Sequence, residues 1–170
     1  MTLYEEIFKL KTLERKGWIL KNVGAKFNRI ESDAEHVFSM TLLAIEIMNK
    51  KKLNIDQCKV LKMIAYHELC EIDYGDHTPH ENIPKQEKYE NELKCIKRLA
   101  TQYNLPEMLE IFQEFEENKT PEAQFVKKID KLDAIMQSKI YANITNTPEI
   151  FEEFKNNQLE IYNEFKDILL

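Results

Sequence analysis

Apolar residues in this chain recur every three or four positions in one segment after another, and no stretch alternates with a period of two. A helix repeats every ~3.6 residues and a half-buried strand every two, so this pattern admits helices and excludes an ordinary sheet. Only three glycines and five prolines interrupt the 170 residues, which lets helices run on. The expected fold is all-α, a bundle of about seven helices. The length suits one domain, residues 1–170, with a single sizeable core.

The helices can be placed from their start and stop signals. Thr2 with Glu5 forms a capping box that opens a helix to about Lys16, and Gly17 stops it. Trp18 to Ile30 reads as irregular. Ser32 with Glu35 is a second capping box, opening a helix to about Lys50 with Met40, Ala44 and Ile47 inward. Asn54 is expected to cap a third, mostly buried helix through Val60, Met63 and Ile64, which Gly75 ends. Ile72 to Pro84 is polar and reads as a loop over the site. Further helices are expected over Lys85–Tyr103, Pro106–Glu117 and Thr120–Ala142. Thr147-Pro148-Glu149 starts one or two closing helices, whose Phe and Ile stripe to Leu170 reads as core or dimer surface.

Composition removes several classes of function. A net charge of −6 argues against a nucleic-acid polymer as partner. A small anionic substrate stays compatible, because a metal or an arginine reverses the field locally. Three cysteines without CxxC spacing read as reduced thiols of a cytoplasmic protein. No apolar run approaches the ~20 residues of a membrane span. The acidic start lacks the basic and apolar regions of a signal peptide.

The chemistry concentrates at the end of the third helix, in His67-Glu68-Leu69-Cys70-Glu71-Ile72-Asp73-Tyr74-Gly75-Asp76. Buried charges are costly unless they are paired or bind a metal. The plainer reading is a solvated helix end with one satisfied histidine. Beyond it, His36 shares a face with Met40 and Leu43, and Asp130 and Asp133 sit inside the apolar pattern of Phe125 to Met136. The two aspartates are three residues apart on one helix face, so position alone does not choose between them. Two histidines and two carboxylates form a nitrogen and oxygen ligand set that suits zinc, manganese, iron, cobalt or nickel. Helical bundles commonly build such sites from inward residues of facing helices.

Four pieces carry a resemblance: Arg15-Lys16-Gly17-Trp18, Glu31 to His36, His67-Glu68-Leu69-Cys70-Glu71 running to Gly75-Asp76, and Glu122 to Lys131. In this order and spacing they resemble the H…HD…D pattern of the HD-domain metal-dependent phosphohydrolases. More narrowly, they are similar to the 5′-deoxynucleotidase branch, over roughly residues 10 to 142. The resemblance implies an HD-type helical domain holding one divalent transition metal through His36, His67, Glu68 and Asp130. It favours Asp130 over Asp133, which would instead orient a ligand. Glu71 would activate the attacking water, and Asp76 would assist near the sugar-phosphate. Arg15 would hold the phosphate. Trp18 would pack by the sugar and disfavour a 2′-hydroxyl, although it reads equally well as a hydrophobic anchor.

The HD doublet of the pattern is HE here, at His67-Glu68. The longer glutamate either reaches the metal from a shifted backbone or stands off and binds through water. This departure bears on metal identity and affinity more than on the fold. The implied activity is hydrolysis of (deoxy)nucleoside 5′-monophosphates, with a homodimer as the implied assembly. The alternatives are an HD-type hydrolase of another small phosphate ester or nucleotide, and a non-catalytic metal- or nucleotide-binding sensor.

Overall fold

The computed structural model describes residues 1–169, and among these the ordered segments are helical. They are α1 (Leu3–Glu6), α2 (Phe8–Thr12), α3 (Lys16–Leu20), α4 (Val23–Phe27), α5 (Asp33–Lys51), α6 (Gln57–His67), α7 (Glu71–Tyr74), α8 (Lys85–Gln102), α9 (Glu107–Glu117), α10 (Pro121–Thr145), α11 (Pro148–Asn157) and α12 (Leu159–Leu169). Seven of them, α5, α6 and α8 to α12, have ten residues or more, which matches the expected bundle. The other five are one-turn pieces too weakly periodic to stand out in a sequence. Leu170, the end of the expected closing stripe, lies outside the described residues.

Three start signals hold. The Thr2–Glu5 and Ser32–Glu35 capping boxes are both closed, and Thr120 caps α10 by accepting the Ala123 N–H. Three other expectations are corrected. The first helix breaks at Ile7 and stops at Thr12, because the chain turns extended at Leu13. There Arg15 N–H donates to Glu31 C=O at 2.9 Å and Asp33 N–H donates to Leu13 C=O at 3.0 Å. Gly17 does not end a helix but lies within α3, so part of the stretch expected to be irregular is helical. The cap of α6 is Asp56, not Asn54: its carboxylate accepts the Lys59 N–H at 3.0 Å, while its own N–H is held by Glu122.

The main core joins α5, α6, α9, α10 and α12 around Met40, Ile47, Met63, Ile64, Ile129 and Phe165. A second cluster packs α2 and the α6–α7 junction against α8 and α9 through Leu10, Leu69, Ile96, Leu99 and Phe112. A third holds Trp18 and Val23 against Tyr141 and Ile150. Among the described residues no helix is long and apolar enough to cross a membrane.

The break between α6 and α7 positions the site. Successive residues of a continuous helix point ~100° apart and cannot serve one centre together. The chain leaves the α-helix at Glu68, where Leu69 N–H turns back to Tyr66 C=O. It re-enters helix at Glu71 and closes at Gly75, whose φ of 85° a residue with a Cβ adopts only under strain. Glu71 therefore sits on its own turn, not on a continuation of the His67 helix.

Candidate metal centre

Three elements meet at one buried point. His36 stands in the first turns of α5, His67 and Glu68 at the end of α6, and Asp130 mid-way along α10. One donor atom from each lies within 4.8 Å of all the others. His36 Nε2 is 3.2 Å from Asp130 Oδ1 and 3.5 Å from Glu68 Oε1, and His67 Nε2 is 3.3 Å from the same Glu68 oxygen. Atoms bound to one cation at ~2.1 Å lie ~3.0–3.4 Å apart, so these separations are close to those that ligands of one cation would have. Both imidazole Nε2 atoms are buried with no hydrogen-bond partner. Such an orphaned pair facing two carboxylates fits a divalent cation.

The far side of each ring is fixed. His67 Nδ1–H donates to Ile64 C=O at 2.7 Å, leaving the Nε2 lone pair aimed at the centre. His36 Nδ1 lies 2.8 Å from Asp133 Oδ2. Of the two aspartates that spacing alone could not separate, Asp130 faces the His36 Nε2 side and Asp133 touches the back of the ring, the arrangement the resemblance implies. Backing of this kind sets the tautomer and raises ligand basicity. Burial and Arg15 both oppose charge on His36, but Asp130, Asp133 and Glu68 outweigh them and push it up to about 10. Burial also opposes charge on Glu68 and Asp130. Arg15 and His67 nevertheless hold Glu68 well below the usual carboxylate range, and His36 holds Asp130 down.

The remaining expected residues surround this point. Arg15 Nη1 donates to Glu68 Oε1 at 2.9 Å and lies 3.8 Å from Asp33. The same Glu68 oxygen therefore faces a guanidinium and both imidazoles. Glu71 is buried and its Oε2 has no partner. Burial, reinforced by Glu68, Asp76 and Asp33, pushes its carboxyl up to about 10. Asp76 accepts a hydrogen bond from the Lys16 backbone N–H, which ties the loop after Gly75 to the start of α3. Trp18 is buried, donates from Nε1 to Glu31 at 2.9 Å and stacks on Phe154 with ring centroids 4.8 Å apart.

Two clefts open beside the centre. One, of about 600 Å³, is lined by Arg15, Trp18, Asp76, His77 and Phe154 among others. The other, of about 410 Å³, is lined by His67, Glu68, Glu71, Lys88 and Asp130 among others. His77, in the stretch read as a polar loop, is half-buried and bridges Tyr74 C=O and the Glu81 carboxylate.

Sequence reasoning missed two buried acids. Asp33 is fully buried with neither oxygen hydrogen-bonded, and burial together with Glu68 pushes its carboxyl up to about 7. Its signal was present, since it lies three residues before His36 in the same first turn. Glu31 accepts the Trp18 indole, and its backbone N–H donates to the Tyr141 hydroxyl at 2.9 Å. Nothing local in the sequence marks that contact.

The family model described as "HD domain" matches residues 7–168. The chain is 31% identical over 157 residues to the "5′-deoxynucleotidase HDDC2" of Homo sapiens, covering 91% of this chain and 74% of that protein. It is 36% identical over 154 residues to the protein of the same name from Dictyostelium discoideum, covering 83% and 78% respectively. A solved structure of a conserved hypothetical protein from Pyrococcus furiosus superposes with a TM-score of 0.75 at 32% identity, over 98% of this chain and 92% of that one. A crystal structure of a protein from Pyrococcus horikoshii OT3 gives 0.71 at 31% identity, over 98% and 95%. The chain belongs to the HD-domain family of phosphohydrolases, in its 5′-deoxynucleotidase-like branch.

Proposed function

We propose that this chain is a metal-dependent phosphomonoesterase that converts 2′-deoxynucleoside 5′-monophosphates to nucleoside and inorganic phosphate. The observation that carries the metal is the pair of buried, partnerless imidazole Nε2 atoms opposite Glu68 and Asp130. The substrate class rests on the names of the curated relatives. When bound, a divalent transition metal (Mn, Co, Zn, Ni or Fe) draws charge from the phosphoryl oxygens and acidifies water. His36, His67, Glu68 and Asp130 hold it, with Asp133 and the Ile64 carbonyl fixing the two rings.

Glu71 takes the proton of the attacking water. Its Oε2 is free of any other partner, and a nearby cation favours the carboxylate form that a base needs. Arg15 anchors Glu68 through Nη1 and turns its remaining N–H groups to the phosphate, since a guanidinium carries five donors. Asp76 holds the Lys16 backbone and so keeps Arg15 and Trp18 at the cleft. Trp18, Phe154 and Ala134 give the larger cleft an apolar wall for the sugar. A 2′-hydroxyl left unpaired against that wall costs binding energy, which gives a deoxy preference of about 10–100-fold. The reading takes residues 1–170 as one catalytic domain working in the cytoplasm, in keeping with three free cysteines, two of them buried.

The reading extends to a homodimer. Phe27, Phe38, Leu42, Ile45, Ile140 and Ile144 are each 38% to 65% exposed. Phe38, Leu42 and Ile45 share one face of α5, and Ser39 beside them meets Ile140, Ile144 and Phe27 around one hollow. At ~150–200 Å² per full side chain this face exposes about 500 Å² of apolar surface. A stable homodimer buries ~800 Å² per partner, of which ~65% is apolar. A second copy therefore matches the face in size. Leu42→Glu should convert the dimer to a monomer by light scattering, and an unchanged mass would remove this face from the interface.

The test of function is phosphate release from matched deoxy- and ribonucleoside 5′-monophosphates, with 3′-monophosphates and simple phosphate esters beside them. Preference for the 5′-deoxy substrates supports the proposal. Turnover confined to another phosphate ester would replace the substrate, and saturable nucleotide binding without release would make the chain a sensor.

A further inference from the structure

Lys131 is the one residue common to the linings of both clefts beside the centre. It follows Asp130 on α10, is exposed, and forms no ion pair among the described residues. The other basic groups nearby are largely committed. Lys21 pairs with Glu153 at 2.6 Å, Lys127 with Glu116 at 3.0 Å and Lys88 with Glu92 at 3.4 Å. Arg15 is bonded to Glu68 and also faces Asp130, Asp76 and Asp33.

Charge balance makes this uncommitted cation informative. Glu68, Glu71, Asp33, Asp76 and Asp130 crowd the centre, and both Asp33 oxygens and one of Glu71's accept no hydrogen bond. A phosphate monoester is a dianion near neutral pH. It must approach these carboxylates, and Arg15 already spends one arm on Glu68. A flexible ammonium at the junction of the two clefts is suited to meet it as a point charge.

We propose that Lys131 binds the phosphoryl group, completing with Arg15 a cationic grip where the two clefts join. This rests on the phosphomonoesterase reading for the identity of the substrate, but the anion-binding role can be tested without turnover. The nucleoside then lies along the Trp18 wall, and the phosphate points towards the junction.

The experiment is calorimetric titration of inorganic phosphate into metal-loaded protein, for the wild type and for Lys131→Ala, Lys131→Arg and Lys85→Ala. Lys85 also forms no ion pair among the described residues, but it lines only the smaller cleft. Lys131→Ala should weaken phosphate binding at least ~10-fold, with metal content and melting temperature unchanged. Lys131→Arg should restore most of the affinity, and Lys85→Ala should bind like the wild type. A steady-state check is a KM increase for the nucleotide in Lys131→Ala, with inhibition by the product nucleoside unaltered. Phosphate affinity within twofold of wild type in Lys131→Ala would overturn the proposal, as would an equal loss in Lys85→Ala. If no nucleotide is hydrolysed but Lys131→Ala still loses phosphate affinity, the substrate assignment fails and the anion site stands. If nucleotides are hydrolysed and phosphate binding ignores Lys131, the reverse holds.

Discussion

At the scale of single residues, two groups differ sharply in what holds them. Glu68 Oε1 accepts from Arg15 and faces the two imidazoles, whereas Glu71 Oε2 is buried and free. A group so placed can accept a proton without breaking anything else. Glu71→Gln keeps the shape and removes the base, so it should retain metal and melting temperature while lowering kcat by at least ~10². Near-normal turnover in that variant would take Glu71 out of the mechanism. The four proposed ligands were legible in the sequence because each is polar inside an apolar helical pattern, as with His36 beside Met40 and Asp130 beside Ile129. By spacing Asp133 was legible only as a rival to Asp130, and it was the resemblance that implied a ligand-orienting role for it. Which of two carboxylates on one face reaches a centre depends on how α10 is rotated against α5, and that rotation is a property of packing.

At the scale of elements, caps place the chemistry. Ser32 closes the box that starts α5 four residues before His36, whereas Thr120 caps α10 ten residues before Asp130. Removing either hydroxyl should cost about 1 kcal/mol, a melting shift of about 2–4 °C. Fraying from a capless end stays within the first turn, so Ser32→Ala should also weaken metal affinity and Thr120→Ala should not. Equal metal affinities in the two variants would show that α5 is positioned by its packing alone. Helix stops were harder to read than starts. With three glycines, the chain closes α4, α10 and α9 on left-handed asparagines, Asn28, Asn146 and Asn118, whose short side chains tolerate that conformation. The interruption at Glu68 carries no glycine or proline at all. It follows from Leu69 and Cys70 packing into the second core, which no local signal reports.

At the scale of the whole molecule, Arg98 ties distant elements together. From α8 it donates to Glu6 of α1 at 2.8 Å and to Asp73 of α7 at 2.7 and 2.8 Å. The Arg98 bond holds the Glu6 carboxyl below its usual range. Burial opposes the same effect at Asp73, but Arg98 outweighs it there too. Both folded values lie below the unfolded ones, so this stabilisation is present above the ordinary carboxylate range of ~4 and is lost as pH falls through the folded values. Arg98→Met should flatten the fall in melting temperature between about pH 5 and pH 2, at a lower stability near neutrality. Parallel profiles for the two proteins would mean that the network does not govern acid stability.

α5, α6 and α10 converge on one centre, and the dependence of turnover on that centre is the most direct thing to measure. Metal-free protein would be titrated with Mn²⁺, Co²⁺, Zn²⁺ or Ni²⁺ while bound metal and phosphate release from a deoxynucleoside 5′-monophosphate are followed in the same sample. Release should be absent at the start and rise in proportion to bound metal up to one equivalent, with His36→Ala and His67→Ala losing both together. Undiminished release from metal-free protein, or normal release from either histidine variant without bound metal, would contradict a catalytic metal held by these helices.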